Sequence, residues 1–326
     1  MTLSVHFYNL HFVNYTENFK TLLDPEIIFT EGNQIPKPAN YQILVYPTPS
    51  KEWLEASPNL QAVIVPWAGI PQKTLELLTD FPNISLHNLH HNNFNTAELG
   101  FSLLLAAAKN LIPMDRKLRD NDWTPRYEDP KAIMLRGRTA LILGFGEIGQ
   151  AMAEYCLGLG MNVMATKKHP TSYSGDLNVQ IFASDQLHDL LPKIDVLIIS
   201  LPLTDETRDR IGEREINLLP PGSILINIGR GPIVNQFALY EALKSGHLHS
   251  AGIDVWYNYP QSRETRKNTP PADVPFGDLD NTVLSPHRGG MVKEVDFQRA
   301  QALAKLLNAA SRGETIPNKV DIDAGY

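Results

Sequence analysis

Cysteine is nearly missing from this chain: Cys156 is the only one in 326 residues. An internal disulfide is therefore excluded and a thiolate-built metal site nearly so, which favours a reducing, cytoplasmic compartment. No basic flank followed by an apolar core is found in Met1–Leu10, so no secretory signal is read there. Apolar runs such as Phe101–Ala108 are too short to span a bilayer. Basic residues are outnumbered 29 to 36, and the resulting net charge of −7 argues against a nucleic acid or an anionic membrane as partner. What is present is a globular composition, 43% apolar and 20% charged, which excludes a mainly disordered chain. The length favours about two domains.

Short β-branched runs alternate with helical stretches along most of the chain. Strands are expected at Ser4–Tyr8, Glu26–Thr30, Gln42–Tyr46, Gln61–Val65 and Ile84–His87. A second series follows at Thr139–Leu143, Asn162–Thr166, Asp195–Ser200, Ser223–Ile228, Ser250–Val255 and Thr282–Ser285. Such alternation predicts α/β architecture with parallel sheets and crossover helices. Between the series, Asn95 and Glu98 suggest a capped helix running to about Ile112, apolar nearly all round and therefore buried, either between domains or against a second subunit. An amphipathic helix is expected over Phe297–Ala310.

Gly144-Phe145-Gly146-Glu147-Ile148-Gly149 is a G-x-G-x-x-G that directly follows a strand and opens a helix. That context makes it a dinucleotide-binding turn: the glycines allow a tight bend, backbone approach to a pyrophosphate and close strand–helix packing. An acidic residue is expected about 20 residues on, to bond the ribose 2′-hydroxyl. Here the second strand ends in Thr166-Lys167-Lys168 without a carboxylate. An acid would repel a 2′-phosphate and lysines attract one, so NADP(H) is favoured, with NAD(H) as the alternative. Lys167 and Lys168 as ordinary solvated charges are the plainer reading.

Three further segments occur in order: Leu201-Pro202-Leu203-Thr204-Asp205-Glu206-Thr207, Pro221–Gly231 around Asn227-Ile228-Gly229-Arg230, and Ser285-Pro286-His287. With the glycine motif and the terminal Gly325-Tyr326, the chain closely resembles the D-isomer-specific 2-hydroxyacid dehydrogenases. The resemblance implies a Rossmann-type doubly wound domain, residues 97–290, inserted into a smaller flavodoxin-like substrate domain, residues 1–96 plus 291–326. It implies a homodimer and a small anionic 2-oxoacid or 2-hydroxyacid substrate. It gives Arg230 the substrate carboxylate and carbonyl, His287 the general acid–base role, and Asp254 the nicotinamide carboxamide. Ala68, Gly69 and Ile70 would lend amides to the carboxylate. Pro202, Thr207, Ile228 and Gly229 would line the dinucleotide. Independently, a guanidinium suits the adjacent oxygens of a 2-oxoacid, and histidine titrates where proton transfer needs it.

One departure stands out. Most of the family place Glu before a proline after the Asp254 strand, to bond the catalytic His. This chain has Tyr259-Pro260, so Tyr259 is the expected neighbour of His287. Two other readings follow from it: a dinucleotide-binding or sensing protein without turnover, and an oxidase of a formate-like anion. His87, His90 and His91 cluster, but no acid or cysteine stands nearby at ligand spacing, and no metal is expected.

Overall fold

The computed structural model describes residues 2–8, 19–170, 173 and 175–322; Gly325 and Tyr326 lie outside the described residues. The chain divides into two compact units, Met1–Asn92 with Met291–Tyr326, and Asn93–Gly290.

The first unit holds a parallel sheet of β1 (Leu3–Phe7), β2 (Ile27–Glu31), β3 (Ile43–Val45), β4 (Ala62–Ile64) and β5 (Ser85–His87). Its order, β2-β1-β3-β4-β5, is the flavodoxin-like winding, which reverses between β1 and β3. The strand period of two sorts side chains to opposite faces. Val5, Ile43 and Ile64 pack with Leu303 and Leu307 of the helix Val295–Ser311. Leu44, Val63 and Leu86 pack with Trp53, Leu54 and Leu78.

The second unit holds seven parallel strands: β6 (Thr139–Leu143), β7 (Asn162–Lys167), β8 (Gln180–Ala183), β9 (Val196–Ile199), β10 (Ser223–Asn227), β11 (Leu248–Ile253) and β12 (Thr282–Leu284). The order β12-β11-β10-β9-β6-β7-β8 is the doubly wound Rossmann arrangement, with its switch point between β6 and β9. Every residue of β9 and β10 is buried, as strands covered on both faces must be. Leu103, Leu104 and Met152 cover one face with Ile142 and Ile198. Leu239 and Leu243 cover the other with Leu141 and Ile199.

The helix expected from Asn95 differs at both ends. It starts at Asn93, so Asn95 lies buried inside the helix and not at its start. It stops at Ala108, because Asn110 turns left-handed (φ 51°) and a separate helix, Leu111–Arg119, leaves at 70°. Within the single chain Leu103, Leu104 and Ala107 are covered, while Leu99, Phe101 and Leu105 stay partly exposed. Edge strand β8 was not expected, since Gln180–Ala183 is too short and mixed to declare itself. Among the described residues no single helix is long and apolar enough to cross a membrane.

Candidate active site

At the switch point, β6 runs into the glycine turn and the helix Glu147–Gly158. Gly144 takes φ +93°, and a Cβ there would stand 3.1 Å from the Leu201 amide, so glycine is demanded twice over. A Cβ on Gly149 would fall 2.2 Å from the Gly144 carbonyl oxygen, which is the close strand–helix approach. Gly146 is different: it meets nothing within 4 Å. Open space in front of this N-cap, and first-turn amides with no intrahelical acceptor, form a cradle that suits a pyrophosphate. Glu147 and Ile148 begin that turn.

Opposite, the segment after β9 is tied off by Thr207, whose hydroxyl donates to the Pro202 carbonyl at 2.7 Å and accepts from the Thr204 amide at 2.8 Å. Thr207 thus shapes the loop, and Pro202 stays exposed on it. At the end of β7, Thr166 is buried and its carbonyl accepts from the Phe145 amide at 3.1 Å. Lys167 is half-buried, and the exposed Lys168 reaches Glu206 at 3.2 Å. No carboxylate terminates the strand itself.

Beyond β10, Asn227 builds the next turn. Its side-chain oxygen accepts from the Gly229 amide at 3.1 Å and its NH2 donates to the Arg230 carbonyl at 3.1 Å. Ile228 is buried beside Gly100, while Gly229 leaves no room for a side chain against the Leu201 carbonyl. Arg230 is held by a 2.7 Å bond from Nη1 to the Gly229 carbonyl. Among the described residues no carboxylate pairs with it, and burial holds the guanidinium below its ordinary pKa. An unneutralised, largely desolvated arginine is a costly arrangement that an anionic ligand would relieve.

His287 lies on the turn after β12, in the left-handed region (φ 56°). Asp254, after β11, sets that turn: its carboxylate accepts from the Ser285 hydroxyl at 2.5 Å, the Arg288 amide at 2.8 Å and the Gly289 amide at 2.9 Å. A carboxylate offers about four acceptor positions, so the loop takes most of them. The Trp256 indole N–H adds a 2.8 Å bond to the Ser285 carbonyl. Tyr259 Oη stands 2.9 Å from His287 Nδ1 and accepts from the Trp256 amide at 3.1 Å. Desolvation first, then Arg230, lower the His287 pKa, with Asp254 acting the other way. Arg288 contributes its backbone amide to Asp254.

Asn227, Trp256 and Ser285 were thus missed as positioning residues. Asn227 and Ser285 lay inside the quoted motifs, but nothing in the sequence distinguishes an asparagine that folds a turn from one that is merely solvated.

In the other unit, Ala68-Gly69-Ile70 follow β4, and Asn88 donates to the Ala68 carbonyl at 2.7 Å. Among the described residues none of the three amides is engaged. His87 bonds the Pro317 carbonyl at 2.8 Å and the Ser85 hydroxyl at 2.9 Å, fastening the C-terminal segment to edge strand β5. His91 is held down at about 4, by burial and then by Arg299.

The fold and the glycine cradle define a dinucleotide-binding α/β protein. Residues 101–289 match the sequence family described as D-isomer specific 2-hydroxyacid dehydrogenase, NAD binding domain. The chain belongs to that family. Glyoxylate reductase of Thermococcus litoralis is 32% identical over 279 residues, 84% of this chain and 80% of that one. D-3-phosphoglycerate dehydrogenase of Methanocaldococcus jannaschii is 28% identical over 274 residues, of whose length the chain spans 50%. Among solved structures, a D-isomer specific 2-hydroxyacid dehydrogenase from Xanthobacter autotrophicus in complex with NADPH and MES superposes with a TM-score of 0.80 at 23% identity, each chain covered in full.

Proposed function

We propose that this protein is a 2-oxoacid reductase that transfers hydride between NADPH, in preference to NADH, and a small anionic substrate such as glyoxylate, hydroxypyruvate or a short analogue. The observation that carries the reading is Arg230: a half-buried guanidinium without a carboxylate partner among the described residues, close enough to His287 to lower its pKa. The dinucleotide supplies the hydride. Arg230 grips the substrate carboxylate and polarises the adjacent carbonyl, and His287 delivers the proton that the reduced oxygen takes. The unengaged amides of Ala68, Gly69 and Ile70 are further donors for an anionic group. Asp254, with one acceptor position left, holds the carboxamide while it anchors the His287 turn. Titrating a panel of 2-oxoacids with NADPH and NADH tests this. Turnover supports it; binding without turnover, or activity with formate-like anions only, supports the two alternatives raised by Tyr259.

The NADPH preference rests on the missing acid and on Lys167 and Lys168. The Lys168–Glu206 pair is exposed, and such pairs are worth only about 0–1 kcal/mol, so a doubly charged phosphate displaces Glu206 readily. Replacing both lysines by alanine should weaken NADPH at least about tenfold more than NADH, since each charge-assisted contact is worth roughly 1.5–3 kcal/mol. Equal losses, or a wild type that prefers NADH, would sink the preference.

A homodimer is supported by the exposed apolar side chains Leu111, Met114 and Leu118 on the helix Leu111–Arg119 and Trp123, Tyr127 and Met134 after it. Exposed apolar side chains concentrated in one stretch of chain suit an interface. Sedimentation equilibrium should return twice the chain mass, and Leu118→Glu should shift it toward the monomer; an unchanged monomeric wild type would refute it.

A further inference from the structure

Resting on the reductase reading, we propose that Tyr259 supplies the proton of the reaction, acting through a neutral His287 that it holds as the Nε2–H tautomer. Hydrogen-bond counting leads there. The Trp256 amide can only donate, and it takes one acceptor position on Tyr259 Oη at 3.1 Å. The 2.9 Å contact between Oη and His287 Nδ1 then has two forms. If Nδ1 donated, Oη would accept twice and its own proton would have only solvent to bond, with no acceptor among the described residues. If Oη donates, both partners are satisfied, Nδ1 carries the lone pair, and the ring proton sits on Nε2. Nε2 has no hydrogen-bond partner among the described residues, so its N–H is left for a ligand.

The charge balance points the same way. Burial and Arg230 disfavour the imidazolium, and the countervailing charge of Asp254 sits on oxygens already bonded by Ser285, Arg288 and Gly289. A neutral imidazole N–H can polarise a carbonyl, but it cannot give up its proton alone without leaving an imidazolate. Tyr259 removes that obstacle. As the carbonyl carbon gains the hydride, the carbonyl oxygen takes the Nε2 proton while Nδ1 takes the phenolic one. Two bonds break, Nε2–H and Oη–H, and two form, substrate O–H and Nδ1–H; the histidine stays neutral and the phenol becomes phenolate. Burial raises the Tyr259 pKa, so the anion is short-lived; the Trp256 N–H and the nearby Arg230 charge offset part of that cost, and Tyr259, 40% exposed, recovers a proton from water. Tyr259 is therefore a proton-supplying residue behind the group that meets the substrate.

Two measurements test this. The first needs no turnover: ¹⁵N correlation spectra of imidazole-labelled protein near pH 7.5 should show His287 as the Nε2–H tautomer, and Tyr259→Phe should abolish that preference. The second is reductase kcat/KM against pH. With tyrosine behind it, efficiency should stay level from pH 6 to 9. In Tyr259→Phe the imidazolium is the only donor, so efficiency should fall tenfold per pH unit above the lowered histidine pKa. The two proteins should match on the acid side of that pKa and diverge by a further tenfold for each pH unit above it. An Nδ1–H or mixed tautomer in the wild type, or a wild-type profile that declines alongside Tyr259→Phe, overturns the proposal. Absence of turnover with every 2-oxoacid overturns the reductase reading and the proton transfer with it, while the spectra still show whether Tyr259 sets the tautomer.

Discussion

Arg230→Lys is expected to lower kcat/KM for a 2-oxoacid by about a hundredfold or more while dinucleotide affinity stays near that of the wild type. Lysine keeps the charge but has no planar fork, so at least one of two parallel bonds to the carboxylate and carbonyl oxygens is lost. A charge-assisted bond is worth roughly 1.5–3 kcal/mol, or about 10- to 150-fold at 25 °C. Lysine also loses the Nη1 bond to the Gly229 carbonyl that aims the guanidinium, so the remaining ammonium is less well placed. Because the contact strengthens as charge gathers on the carbonyl oxygen, kcat should fall and not KM alone. Stopped-flow binding of the dinucleotide and steady-state kinetics on one preparation separate the effects. Near-normal kinetics in Arg230→Lys would remove arginine from the substrate's path and with it the main support for the reductase reading.

Much of this architecture was legible in the residues, for reasons that differ from place to place. The buried strands β9 and β10 announce themselves because parallel strands covered on both faces need unbroken apolar runs, and Val196–Ile199 and Ser223–Asn227 supply them. Gly144 and Gly149 were legible because backbone crowding admits no other residue. The break at Asn110 was not: its neighbours Leu111 and Ile112 continue an apolar pattern, and only the left-handed turn at Asn110 ends the helix. The pair Tyr259–His287 lies 28 residues apart in sequence, and a motif can suggest that two residues meet but not which atom carries the proton. Asp254 is the sharpest case. The family resemblance gave it a ligand contact, and the three donors that its carboxylate takes from the His287 turn could not be read from the residues.

That arrangement makes Asp254 the residue whose loss should cost most in stability. Only 1% of its surface is exposed, and its two oxygens hold the Ser285 hydroxyl and the amides of Arg288 and Gly289. In Asp254→Asn one oxygen becomes an NH2 that faces a donor, leaving two buried N–H groups opposed. A buried unsatisfied group costs about 1–3 kcal/mol, and the other bonds lose their charge assistance, so about 3 kcal/mol in all is expected. For a unit of this size that corresponds to a fall in Tm of roughly 6–12 °C. Asp254→Ala should fall further, since all three donors lose their acceptor, and Ser285→Ala should fall least, since two amides keep theirs. Catalysis should suffer alongside. His287 sits at φ 56°, a conformation that costs a non-glycine residue about 1–2 kcal/mol, and it persists because the bonds to Asp254 over-determine the turn. Freed from them the turn relaxes, Tyr259 loses its aligned partner, and kcat falls. Thermal unfolding and dinucleotide titration of the three variants decide between the roles given to Asp254. A large fall in Tm with nearly unchanged dinucleotide affinity identifies the anchor of the His287 turn. Weakened dinucleotide binding at an unchanged Tm would instead make the nicotinamide contact its main work, and the three bonds to the turn dispensable.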